Sequence, residues 1–251
     1  MASVSAAQAP AALGAAARSY KYYDLIVGAF VAVLLCSNLI GPGKTALVGV
    51  PFIGAAVSFG CGNIFFPISY IFGDVLTEVY GYARARRAIW AGLSAMLFAT
   101  VMATVVIHMP ADPHEPFNQQ LQPALEIVFG NTWRIAVGST LAFWAGDFVN
   151  SFVMAKMKIA TDGRRLWMRT IGSTIGGQLV DSLLFYPIAF AGIWVTDTLF
   201  KVIIFNWLFK VGIEVVCTPL TYAVVNALKR AESEDFYDRD TNFTPFSLDD
   251  K

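Results

Sequence analysis

Charge is the first thing this sequence lacks. Only 14% of its 251 residues are Asp, Glu, Lys or Arg, and the formal net charge is zero. Soluble domains carry about a quarter charged residues, so much of this chain faces something other than water. Without a net positive charge it is not a nucleic-acid binder, which needs a basic face. Histidine is scarce too. His108 and His114, with Asp112 and Glu115 nearby, sit in a proline-interrupted stretch with no helix to set ligand spacing, so no metal site is expected. The cysteines, Cys36, Cys61 and Cys217, lie in apolar stretches and read as small packing residues rather than a disulfide framework. Neither a nucleophile elbow nor a helix-borne histidine pair is present, so the sequence names no catalytic residue and no cofactor. Gly41-Pro42-Gly43-Lys44-Thr45 ends like a phosphate-binding loop, but the required leading glycine is Asn38 and no strand precedes it.

What is abundant is hydrophobic sequence, 56% of the chain, gathered in runs. About 20 apolar residues span a bilayer as an α-helix. The runs predict spans over Tyr23–Ile40, Asn63–Tyr82, Ala88–Met109, Trp133–Met157, Trp167–Val195 and Leu199–Leu228, with Pro219 kinking the last. Between the first two, Thr45–Cys61 is apolar but broken by glycines and Pro51, so a non-helical or re-entrant segment is expected there. The expected fold is therefore an all-α integral membrane protein, a bundle of six transmembrane helices with that irregular segment between spans one and two. An outer loop covers Pro110–Asn131. Residues 1–19 form a disordered Ala-rich lead-in with no cleavable signal, residues 20–230 the six-span transmembrane domain, and residues 231–251 a flexible acidic tail.

Basic residues set the orientation. Arg18 and Lys21, Arg84 to Arg87, Lys156 to Arg169, and Lys229 and Arg230 all fall on one side if the chain crosses six times, which places both termini in the cytoplasm. Gly73-Asp74 and Gly146-Asp147 recur in similar places and hint at an internal repeat.

Ionisable groups inside spans are costly, and by default they mark function. Tyr70, Asp74 and Glu78 share one face of span two. Asp147 and Asn150, with Trp144 beside them, mark span four; Thr174, Gln178, Asp181 and Ser182 share a face of span five, where Gly172 and Gly176 allow close helix approach. Lys210 and Glu214 lie four apart in span six and are expected to pair along the helix. Glu78 has the alternative of pairing with Arg84 or Arg87, and Asn38 and Asn63 that of capping helices.

The run Phe66-Pro67-Ile68-Ser69-Tyr70-Ile71-Phe72-Gly73-Asp74-Val75-Leu76-Thr77-Glu78-Val79-Tyr80-Gly81-Tyr82 resembles the signature of the queuosine precursor transporter family, also described as vitamin uptake transporters. Ser37-Asn38, the arginines after Tyr82 and the aspartate of span five are similar to that family as well. The resemblance implies import of 7-deazaguanines (7-cyano-7-deazaguanine, its aminomethyl relative or queuine) across a bacterial inner membrane. Asp74 and Glu78 carry over as motif positions. A deazaguanine shows an N1–H and a 2-amino group side by side, which one carboxylate can accept together. Gln178 or Asn150 would read the 6-oxo edge, and Phe66, Tyr70 or Trp144 would stack on the ring. The expected partners are this ligand and the lipid bilayer, with room for a homodimer. An alternative reading is the substrate-binding membrane subunit of a vitamin-type importer energised by separate ATPase subunits.

Overall fold

Helix α1 (Tyr23–Ile40) forms where the first apolar run predicts it. The structure, a computed structural model, describes residues 20–40, 45–50, 55–60, 65–130, 133–193 and 195–247. The expected lead-in at residues 1–19, Asn63 and the side chain of Phe66 lie outside that set. The punctuated segment after α1 is indeed non-helical. Strands β1 (Thr45–Val50) and β2 (Ala55–Gly60) pair antiparallel, Thr45 opposite Gly60 and Val50 opposite Ala55. Antiparallel pairing satisfies inner backbone groups that a Gly- and Pro-broken helix would leave exposed. This hairpin departs from the all-α expectation.

Helix α2 (Phe66–Tyr80) carries Pro67 in its first turn, where a missing N–H costs nothing. It stops at Gly81, whose φ of +88° suits glycine, and α3 (Tyr82–His108) restarts at once. The basic loop expected before Ala88 is therefore a single residue. Of the three arginines there, Arg86 is buried and donates to the carbonyls of Asn242 and Thr244, each at 2.7 Å. Helix α4 (Asn118–Phe129) is a short exposed helix inside the expected outer loop. Helices α5 (Trp133–Ala160), α6 (Leu166–Phe190) and α7 (Thr196–Glu232) complete the bundle, and α7 continues through Pro219.

The bundle is inside-out relative to a water-soluble protein. Leu97, Phe98, Val101, Met102, Val105 and Val106 are exposed on α3; so are Ile175, Leu179 and Leu183 on α6, and Phe200, Ile204, Leu208, Val216 and Leu220 on α7. Asp74, Glu78, Asp147, Asn150, Lys158, Arg169, Gln178 and Glu214 are buried. A bilayer rewards that distribution and water does not. By length and composition alone, the one helix among the described residues apolar enough to cross a membrane is Tyr82–His108, with Tyr23–Asn38 a shorter apolar helix. The other helices carry polar inward faces, which dilute their hydropathy.

The basic clusters converge on one end of the bundle. The start of α1, the α2–α3 junction, the α5–α6 turn and the end of α7 meet there: Tyr23 donates to the Arg84 carbonyl at 2.9 Å, and Lys158 to the Glu78 carbonyl at 2.6 Å. Residues 235–246 of the tail lie against the same end. The Tyr82 N–H donates to both Asp238 oxygens, at 2.9 and 3.1 Å; Trp90 Nε1 donates to the Pro245 carbonyl at 2.8 Å; Phe243 packs on Tyr82. Asp238 caps the first turn of α3, and its burial raises its carboxyl above the usual range. An acidic composition says nothing about such pairing, because its partners are orphan donors in another part of the chain.

Helices α5 and α6 approach most closely through Gly146 and Gly177. A Cβ at Gly177 would lie 2.8 Å from both the Gly146 carbonyl and Asn150 Cβ. Backbone oxygen cannot swing aside, so Gly177→Ala should separate the helices and lower stability by about 1–3 kcal/mol, read as a fall in melting temperature in detergent. Gly176, expected at the contact, has more room; its nearest neighbour would lie at 3.6 Å. Gly73 meets nothing within 4 Å, so its role differs from that of Gly146 and the repeat hint gains no support.

Candidate functional site

Two polar clusters are stacked along the bundle interior. The first closes the basic end. Glu78, wholly buried on the last turn of α2, accepts from Arg169 Nη2 at 2.7 Å, Arg169 Nε at 3.2 Å and Lys229 Nζ at 2.6 Å. Lys158 Nζ stands 3.5 Å from the same carboxylate and 2.6 Å from Asp235. Lys229 also reaches Asp235, at 2.7 Å. Burial raises the Asp235 carboxyl, but hydrogen bonds and charge from Lys158 and Lys229 outweigh it and hold the group below its ordinary value. One carboxylate thus ties together α2, α5, α6, α7 and the tail. Its oxygens are fully engaged, and its partners are not Arg84 or Arg87 as the sequence alternative had it. Arg169, Lys158 and Lys229 entered the sequence reading only as topology signals. Charge balance was the available clue, since a buried glutamate requires cations near it.

One turn further in, the polar atoms are conspicuously unmatched. Asn150 Nδ2 donates to Asp74 Oδ1 at 2.8 Å, and Thr77 Oγ1 to Ser151 Oγ at 3.1 Å. Asp74 Oδ2, Asn150 Oδ1, Gln178 Oε1, Thr174 Oγ1, Ser182 Oγ and Glu214 Oε1 are buried with no hydrogen-bond partner. Buried polar atoms are normally satisfied, so so many on four touching helices call for an explanation. Tyr70 completes the layer: the Gln178 amide donates to its hydroxyl, and Asp181, Asp147 and Glu214 act on it electrostatically. Two of the unmatched atoms are amide oxygens that can only accept, and Asp74 Oδ2 and Glu214 Oε1 accept when their carboxyls are ionised. The layer is built to receive N–H groups.

The sequence-predicted residues Tyr70, Asp74, Asp147, Asn150, Gln178 and Asp181 are brought together, whereas Glu78 belongs to the cage. Trp144 turns elsewhere, packing edge-on against Trp90 at 6.1 Å and Phe148 at 5.4 Å and touching the tail through Phe246. Lys210 pairs across helices with Asp181 at 2.6 Å rather than along α7 with Glu214, because α6 presents its carboxylate at the level of the ammonium. Asn38 is more than a cap: it accepts from Ser139 on α5 at 3.1 Å and ties α1 to the bundle. Among the described residues no group of His, Cys, Asp or Glu is arranged to hold a metal ion.

An apolar exterior around a buried, acceptor-lined interior defines a helical membrane protein that handles a polar small molecule. Residues 60–224 match the model of a family described as "Putative vitamin uptake transporter", and the chain belongs to that family. It is 35% identical over 173 residues to the "Probable queuosine precursor transporter" of Bacillus subtilis (strain 168), covering 68% of this chain and 73% of the relative. To the "Queuosine precursor transporter" of Escherichia coli (strain K12) it is 24% identical over 167 residues, 65% of this chain and 71% of that one. No solved structure matches.

Proposed function

We propose that this chain imports queuosine precursors of the 7-deazaguanine type and holds them in the acceptor layer between α2, α5, α6 and α7. The observation that carries the reading is the set of unmatched oxygens around Asp74. A 7-deazaguanine is rich in donors: its N1–H, 2-amino and ring N9–H all need acceptors, and guanine-like rings with few N–H groups would leave the layer unsatisfied. Asp74 offers one free oxygen, plus a second lone pair on the oxygen that already accepts from Asn150. It can therefore take N1–H and the 2-amino group together. Asn150 has its amide nitrogen committed to Asp74, so its carbonyl oxygen suits a further ligand N–H better than the 6-oxo group; a Thr174 or Ser182 hydroxyl is the better donor to that oxo group. Tyr70 supplies an aromatic wall.

Six of the helices cross the membrane on this reading, α4 lying outside, and the basic end with both termini faces the cytoplasm of a bacterial inner membrane. The gathered basic residues support that orientation. Asp181 with Lys210 then lies toward the outer side, and the Glu78 cage plugs the cytoplasmic exit. The test is uptake of labelled 7-cyano-7-deazaguanine by the purified protein alone in liposomes, without any ATPase subunit. Saturable uptake, competed by queuine, is expected. Uptake only when ATPase subunits are added would transfer the chain to the class of substrate-binding importer subunits.

A further inference from the structure

Carboxyls outnumber cations in the bundle interior. Lys158, Arg169 and Lys229 are shared by Glu78 and Asp235, Lys210 is taken by Asp181, and Arg86 is held by tail carbonyls. Among the described residues no ion pair reaches Asp74, Asp147 or Glu214. Like Asp74, Glu214 carries a buried oxygen that no described residue matches. It is 1% exposed, and its Oε1 has no partner.

The charged and titratable groups in and beside the polar layer come from four helices. From α2 they are Tyr70 and Asp74, with Glu78 beyond them in its cage. Helix α6 contributes Asp181, already neutralised by Lys210, and Arg169, already on Glu78. Helix α5 contributes Asp147, and α7 itself Lys210 and the Cys217 thiol. Of the charges acting on Asp74, Glu214 stands first, ahead of Glu78 and Asp147. Two uncompensated carboxylates that act on one another in a dry interior do not both stay ionised.

We infer that Glu214 is the proton-coupling carboxyl of this importer: one proton enters on Glu214 with each substrate molecule held by Asp74, and both leave on the cytoplasmic side. The inference rests on the deazaguanine reading above. Ligand N–H groups require Asp74 as an ionised acceptor. That charge drives its neighbour Glu214 to take a proton, and by linkage a proton on Glu214 tightens the hold on substrate. No bond other than O–H is made or broken. The proton comes from the outer solution and returns to water inside. External acid therefore promotes loading, and internal release is favoured where Glu214 can lose its proton.

The test uses purified protein in liposomes with the membrane potential clamped at zero. Wild type should exchange labelled 7-cyano-7-deazaguanine at equal pH. Under a gradient of one pH unit, acid outside, it should accumulate the compound about tenfold, the ratio that one proton per molecule supports. Glu214→Gln, which keeps the shape of the protonated acid, should still exchange the compound, at whatever rate, yet stop at equal concentrations. Exchange by wild type without accumulation overturns the coupling and leaves the substrate reading standing; accumulation by Glu214→Gln overturns the role of Glu214. If nothing exchanges, the substrate reading fails, and infrared spectra of the purified protein decide the proton. A protonated-carboxyl stretch near neutral pH that disappears in Glu214→Gln supports the assignment, and its absence from wild type overturns it.

Discussion

Glu78→Ala is expected to destabilise the purified protein more than any single substitution in the acceptor layer. Removing one partner of a buried ion pair leaves the other charge uncompensated, at a cost of about 3–5 kcal/mol. Here the loss strands Arg169, which is 1% exposed, and takes from Lys229 its 2.6 Å contact. Lys158 keeps Asp235, so part of the cage survives and Glu78→Gln, still an acceptor, should be milder. Melting in detergent should follow the order wild type, Gln, Ala. The affinity of the folded fraction for ligand should change little, because both Glu78 oxygens point into the cage and away from the acceptor layer. A Glu78→Ala protein that melts normally but binds no ligand would reverse that assignment and return Glu78 to recognition, as its place in the signature first implied.

Asp74→Asn should do the opposite. The substitution removes a buried carboxylate that has no cation and faces Glu214, so the melting temperature should hold or rise. Ligand affinity should fall, because the amide nitrogen now meets a ligand N–H where an oxygen is needed. A buried polar group left unpaired costs about 1–3 kcal/mol, and charged cases cost more. That corresponds to a loss of about fivefold to more than a hundredfold in Kd. Opposite signs at two carboxylates on one helix face, a single turn apart, are what separates a recognition group from a structural one. Functional sites often carry such a stability cost, which mutation relieves.

Much of this was readable in the sequence, for physical reasons. The bilayer imposes a length and a polarity on each span, so helices α1, α5, α6 and α7 fall close to their expected limits. Helical periodicity likewise put Tyr70 and Asp74 on one face, and Gln178 and Asp181 on another, and the structure brings those faces together. What periodicity cannot carry is the identity of a partner on another helix. Lys210 and Glu214 have the spacing of a pair along α7, but Asp181 takes the lysine because packing against α6 sets that choice. Trp144, next to a site face in sequence, is turned by one helical step toward Trp90. The contacts of the tail were not legible for a related reason: acidic, polar residues look solvated until Arg86 and the Tyr82 N–H are seen to need acceptors. Composition reports what a segment prefers in water, not which buried donors elsewhere need it.

The claim at the centre of this account is that Asp74 reads the 2-amino edge of the ligand, and a double-difference binding measurement tests it directly. Calorimetry would compare 7-cyano-7-deazaguanine with the analogue lacking the 2-amino group, on wild type and on Asp74→Asn. The account predicts that wild type binds the analogue more weakly by about 1–3 kcal/mol, and that Asp74→Asn scarcely distinguishes the two. An equal penalty for the missing amino group in both proteins would contradict it and place the 2-amino contact elsewhere.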